Sequence, residues 1–83
     1  MEITVYTKTR CPQCAYTKKT LELRECEFTE EIASEKLKEI ASELGYSQAP
    51  IVTVTKGGKL IDSWSGFKDS KIRYWVEQLD IWN

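Results

Sequence analysis

Residues 2–14, "EITVYTKTRCPQC", run from a strand pattern straight into a helix start, and that junction restricts the fold more than any other stretch. Ile3 and Val5 alternate with polar residues in a β-rich segment that reads as a first strand ending near Thr7. Thr9-Arg10 forms a short loop. Pro12 suits the first helical position, because its missing N–H would be unpaired there in any case. The helix continues to about Arg24, weakly amphipathic, with Cys14, Thr17 and Leu21 on one face. "CEFTE", beginning at Cys26, reads as a second short strand. A strand, a helix and a parallel strand in this order require a right-handed crossover.

The remainder extends the pattern. Ser34 is expected to cap a second helix whose apolar stripe is Ala33, Leu37, Ile40, Ala41 and Leu44. Gly45 stops that helix, and Tyr46 packs back behind a left-handed cap. After Ala49-Pro50, "IVTVT" is a strong strand, Gly57-Gly58 fits a two-residue primed turn, and "LIDSW" returns antiparallel. "SGF" breaks the strand. Asp69 or Ser70 then caps a last helix with Ile72, Trp75, Val76 and Leu79 on its apolar face. The order β-α-β-α-β-β-α predicts one α/β domain over residues 1–83, with a four-stranded mixed sheet and helices on both faces. Neither a repeat nor a linker interrupts it.

A domain of 83 residues buries only roughly 60–65% of its unfolded surface. Three cysteines, two of them nearly adjacent, cannot supply the long-range disulfide framework of a small secreted domain. Packing must hold the fold, and three Trp, four Tyr and two Phe are the bulky pieces for it. Met1-Glu2-Ile3 enters the first strand without a charged-then-apolar leader, and no apolar run is long enough to span a bilayer. A reducing cytoplasm is the expected compartment, and neither membrane nor nucleic acid is an expected partner. The net charge of −1 is unevenly spread. Residues 1–24 carry five basic against two acidic side chains, whereas residues 25–48 carry two against seven. The positive excess surrounds Cys11 and Cys14.

Cys11 stands at the N-cap of the first helix, where backbone N–H groups are unpaired and the dipole is positive. Lys8 and Arg10 add cationic charge, and Pro12 fixes the turn. A cysteine so placed has a pKa below the free value of about 8.5, and a shift to about 7 is worth roughly 2 kcal/mol for the anion. Cys14, three residues on, is more enclosed. Cys11 is therefore the expected attacking thiol and Cys14 the resolving one, and Gln13 leaves the site uncharged. A CxxC at a strand–helix junction within βαβ points to a redox dithiol.

Other readings are weaker. A structural zinc needs four Cys or His ligands, but the chain has three cysteines and no histidine, so no metal is expected. An inert pair would leave Pro12 and the basic flank without purpose. Cys26 reads as a small, half-buried apolar side chain. Pro50 reads on its own as an ordinary trans strand-entry proline, since only about 5–6% of such bonds are cis. Trp64, Phe67 and Trp75 read as core and hairpin cover, and the acidic stretch from Glu25 to Glu43 as a solvated face.

"YTKTRCPQC", "QAPIV" and "WSGF" together resemble the NrdH-redoxins, glutaredoxin-like members of the thioredoxin superfamily, essentially end to end. The resemblance implies a thioredoxin/glutaredoxin-like fold and a redox-active Cys11–Cys14 disulfide with no bound cofactor. It also implies reduction by thioredoxin reductase with NADPH, and delivery of electrons to the large subunit of class Ib ribonucleotide reductase. Pro50 is then cis and lies beside Cys11, and Ala49-Pro50-Ile51 form a backbone platform for substrate. Trp64, Ser65, Gly66 and Phe67 become the segment that recognises the reductase. Departures mark a divergent member. Lys68-Asp69-Ser70 replaces the usual Arg-Pro-Asp, CPQC leans towards the glutaredoxin form, and "EEIASEK" lacks the usual "VD" link. The alternative is a glutathione-dependent glutaredoxin, a general protein-disulfide reductase, although Trp64 and Phe67 stand where a glutathione pocket is expected. Thioredoxin proper, an iron–sulfur carrier bridging two chains through Cys11, and a noncatalytic interaction domain fit less well. A monomer acting as electron carrier is expected.

Overall fold

The computed structural model describes residues 1–32 and 34–82, with the side chains of residues 34 and 80–82 excepted. Its elements are β1 (Glu2–Thr7), α1 (Pro12–Leu23), β2 (Thr29–Ile32), α2 (Ser34–Leu44), β3 (Ile51–Lys56), β4 (Lys59–Ser65) and α3 (Asp69–Trp82). The sheet order is β2-β1-β3-β4, with β1 parallel to β2 and the other pairs antiparallel. This is the mixed four-stranded sheet of a thioredoxin-like fold.

Register decides which face each side chain serves. Ile3 opposes Val54, Val5 opposes Val52, and Val52 opposes Trp64, so these five share a face. Leu21 of α1 and Ile72 of α3 pack on that face, with Trp75, Val76 and Leu79 alongside. The four consecutive residues Ile51 to Val54 are all buried, which requires cover on both faces of β3. The second cover is α2, whose Leu37 and Ala41 share a groove with Ile51.

Three boundaries differ from the sequence reading, the simplest being the start of α2, which already includes Ser34, its expected cap. β2 begins at Thr29, and Cys26 lies before it. The cause is the end of α1: Glu25 takes a left-handed φ of 55°, its N–H donates to Glu22 O at 3.0 Å, and Cys26 N–H donates to Leu21 O at 2.9 Å. This cap spends Cys26 on closing the helix and turns its side chain into the core, 8% exposed, against Leu21. A glutamate in place of the usual glycine hid the cap from the sequence. The last helix includes both of its proposed caps. Ile72 N–H bonds to Lys68 O at 3.1 Å, so Asp69 lies in the first turn, where the helix dipole favours its charge. There it pairs with Arg73 at 3.0 Å and Arg24 at 3.8 Å, tying α3 to the end of α1.

The hairpin follows expectation: Gly57 and Gly58 have φ of 60° and 78°, the values a primed turn demands, and Lys56 opposes Lys59. Tyr46 N–H reaches back to Ala41 O at 2.9 Å, closing α2 as its position predicts. Of the stripe on α2, Leu37, Ile40, Ala41 and Leu44 are half-buried, and Ala33 lies outside the described residues.

Candidate functional site

The site is built where β1 stops. Thr7 is its last residue, and the chain then turns through Arg10 at a left-handed φ of 54°. That turn delivers Cys11 in an extended conformation, with φ −122° and ψ 96°, as the N-cap of α1. Pro12 occupies the first turn, and Ala15 N–H makes the first helical bond to Cys11 O at 3.1 Å. Cys11 and Cys14 are joined in a disulfide, with their Cα atoms 5.2 Å apart. Cys11 Sγ also accepts Cys14 N–H at 3.1 Å, so an N–H of the first helical turn is aimed at this sulfur, where the helix dipole favours negative charge. No acidic residue stands in the first turn to oppose that charge.

The two sulfurs are not equivalent. Cys14 is 3% exposed, whereas Cys11 is only half-buried and open to solvent. Lys8 and Arg10 are exposed and have no ion-pair partner among the described residues, so their charge is not spent elsewhere. Lys18, further along α1, is committed: it pairs at 2.9 Å with Glu30, which also accepts from Thr7 Oγ1 at 2.9 Å. The Lys18 hydrogen bond chiefly holds the Glu30 carboxyl below its ordinary range, against the opposing effect of burial.

Hydrogen bonds bring the three sequence motifs together. The Ala49–Pro50 peptide bond is cis, and Pro50 is buried. Pro50 O accepts Gly66 N–H at 2.8 Å, and Ser65 Oγ donates to Gln48 O at 2.6 Å. Phe67 N–H donates to Gln13 Oε1 at 2.9 Å. The segment 65–67 is thus fastened to the loop before β3 on one side and to the CPQC turn on the other. Tyr16 and Phe67 meet with ring centroids 4.8 Å apart. With Pro12 and Gln13 they line a shallow groove of about 280 Å³ beside the disulfide. A second groove, about 180 Å³, includes Lys8, Lys38, Ala49 and Ile51.

Trp64 does not join this surface. It is 2% exposed, in the core cluster, and its indole Nε1 has no hydrogen-bond partner among the described residues. The expected four-residue recognition segment therefore presents Ser65 and Phe67, half-buried, above a buried Trp64 and Gly66. Alternation along β4 explains it: Trp64 opposes Val52 on the inner face, and Ser65 opposes Ile51 on the other.

Residues 3–61 match the glutaredoxin family profile. The chain belongs to the glutaredoxin family. Within it the chain is NrdH-like: it is 40% identical over 75 residues to the glutaredoxin-like protein NrdH of Escherichia coli strain K12, covering 87% of this chain and 85% of that one. The corresponding protein of Salmonella typhimurium is 39% identical over the same share of each chain. Among solved structures, the Escherichia coli NrdH-redoxin, a glutaredoxin-like protein with a thioredoxin-like activity profile, superposes with a TM-score of 0.69. It is 35% identical, over 89% of this chain and 93% of its own. Thioredoxin f2 of Chlamydomonas reinhardtii shares the fold at 16% identity, with a TM-score of 0.67 over 92% and 75% of the two chains.

Proposed function

We propose that the chain is a dithiol–disulfide electron donor, reduced by thioredoxin reductase at the expense of NADPH and reducing the large subunit of class Ib ribonucleotide reductase. One observation carries the chemistry: an accessible Cys11 at a helix N-cap, directly above a buried Cys14. The Cys11 thiolate attacks one sulfur of the target disulfide, forming a mixed disulfide and expelling the other sulfur as a thiolate. Cys14, losing its proton, attacks Cys11 Sγ, and the target sulfur held in the mixed disulfide leaves as a thiolate. Two electrons pass to the target, and Cys11–Cys14 returns to the disulfide.

Lys8, Arg10 and the helix N-terminus favour the Cys11 thiolate, and Pro12 holds the turn. The backbone of Ala49-Pro50-Ile51 receives the target segment as an added strand. Ser65 and Phe67 face the reductase, and the buried Gly66 forms the turn that presents them. The choice of reductase rests on likeness to the Escherichia coli NrdH-redoxin, whose activity profile is thioredoxin-like. The reaction needs no bound cofactor beyond the dithiol, and the protein works as a monomer in the cytoplasm. No described helix is long and apolar enough to cross a membrane.

The test follows NADPH consumption during reduction of a protein disulfide, once with thioredoxin reductase and once with glutathione plus glutathione reductase. Turnover with thioredoxin reductase alone is expected. Turnover with glutathione alone makes this a general glutathione-dependent glutaredoxin and refutes the proposal.

A further inference from the structure

Gln13 lies between the two cysteines, and the disulfide chemistry has no use for its side chain. Its contacts lie elsewhere. Gln13 Oε1 accepts Phe67 N–H at 2.9 Å across 54 residues of sequence. A Cβ built on Gly66 would stand 3.0 Å from that same oxygen. Gly66 has φ +81° and donates its own N–H to Pro50 O. One amide oxygen thus occupies the space that a side chain at position 66 would take, and holds the turn by the next N–H. The turn held in this way carries Phe67, whose ring rests on Tyr16 and forms one wall of the groove beside Cys11.

We infer that Gln13 is a positioning residue: through its Oε1 it fixes Ser65-Gly66-Phe67 against the CPQC turn and so sets affinity for the reductase at the Tyr16–Phe67 groove. The inference rests on the reading of Cys11 as the sulfur that partners approach. Gln13 takes no part in bond making. Its effect belongs in the KM for a protein partner, not in the reactivity of Cys11 towards a small disulfide that needs no groove. The chemistry required is an acceptor of this length, which glutamate keeps and methionine lacks.

The experiment compares the full chain with Gln13→Met and Gln13→Glu. Amide hydrogen exchange at Phe67 reports the brace without any partner. NADPH-coupled turnover with thioredoxin reductase gives KM and kcat. Reaction of the reduced protein with 5,5′-dithiobis(2-nitrobenzoate) gives the intrinsic thiol reactivity. Gln13→Met should speed exchange at Phe67 about fivefold or more, as loss of one hydrogen bond implies, and raise KM several-fold. Its kcat and its rate with the small disulfide should stay within about twofold, since neither depends on that bond. Gln13→Glu should restore both the Phe67 protection and the KM. Its added charge beside Cys11 would show separately, as slower reaction with the small disulfide. Unchanged Phe67 exchange in Gln13→Met overturns the inference, as does failure of Gln13→Glu to restore it. An equal loss of rate on the small disulfide and the protein partner also overturns it, because Gln13 would then act on the thiol. If thioredoxin reductase fails to turn over even the wild type, the electron-donor reading falls. KM is then measured for the protein disulfide in the glutathione-coupled assay, and the exchange arm decides the brace regardless.

Discussion

Gly66→Ala puts a methyl group at the meeting point of the active-site turn and the 65–67 segment, and its cost separates into two parts. The first is conformational: φ at this position is +81°, and an L-residue held in the left-handed region costs about 1–2 kcal/mol. The second is contact. The new Cβ would lie 3.0 Å from Gln13 Oε1, so the flexible Gln13 side chain must give by a few tenths of an ångström, and its bond from Phe67 N–H should be lost in doing so. A neutral hydrogen bond is worth about 1 kcal/mol net, so the whole substitution should cost about 2–3 kcal/mol. For a domain of this size that is a fall in Tm on the order of 10–20 °C. In a Gln13→Ala background the contact is already gone, and only the conformational part should remain. Urea unfolding of the four chains measures the difference, expected at about 1 kcal/mol of coupling. If Gly66→Ala costs the same in both backgrounds, within about 0.3–0.5 kcal/mol, the two residues do not act on one another and the reasoning fails.

Asp62 is half-buried between β4 and α3, and burial opposes its charge. Hydrogen bonds from Lys71 Nζ, Trp75 Nε1 and Ser63 N–H outweigh that, and its pKa lies below the ordinary 3.8. A lowered folded pKa contributes stability above the unfolded value and loses it as pH falls through the folded one; Glu30, lowered from 4.5, acts the same way. The urea midpoint should therefore drop as pH falls from neutral to about 3, and Asp62→Asn should be less stable at neutral pH with a shallower acid loss. An equally steep acid loss in Asp62→Asn would assign the effect to other groups. Replacing Lys8 and Arg10 together with glutamine should raise the Cys11 thiol pKa in the reduced protein, read from the pH dependence of iodoacetamide alkylation. An unchanged pKa leaves the helix N-terminus alone responsible.

Local signals carried most of the fold. Pro12 marked the start of α1, Gly57-Gly58 the hairpin, and the Ile72, Trp75, Val76, Leu79 spacing the inner face of α3, and all three stand where the pattern put them. Each is a constraint that neighbouring residues impose on one another. What escaped was set by distant parts of the chain. The Schellman closure at Glu25–Cys26 uses no glycine, so nothing local separated it from a strand start. Trp64 read as core from its residue type, and its burial bears that out; what the resemblance added, a place in the recognition segment, fails because the register with Val52 turns the ring inward. At the site, the Cys11–Cys14 pair at the start of α1 was legible because a disulfide of this kind needs a short spacing and Pro12 marks the helix start. Locally, Gln13 signals only an uncharged side chain. Its bond partner lies 54 residues away, and a Gln between cysteines with a Gly-Phe far downstream has no spacing rule to join them. The Asp62, Lys71 and Trp75 cluster was invisible for the same reason.

The central claim is that Cys11, and no other sulfur, attacks the partner, with Cys14 resolving. Reduced Cys14→Ser protein mixed with the oxidised large subunit of class Ib ribonucleotide reductase tests it directly, with the cross-linked peptide mapped by mass spectrometry. The account predicts a stable mixed disulfide at Cys11 that dithiothreitol releases, and none with Cys11→Ser. A cross-link mapped to Cys26, or one formed equally well by Cys11→Ser through Cys14, would contradict it.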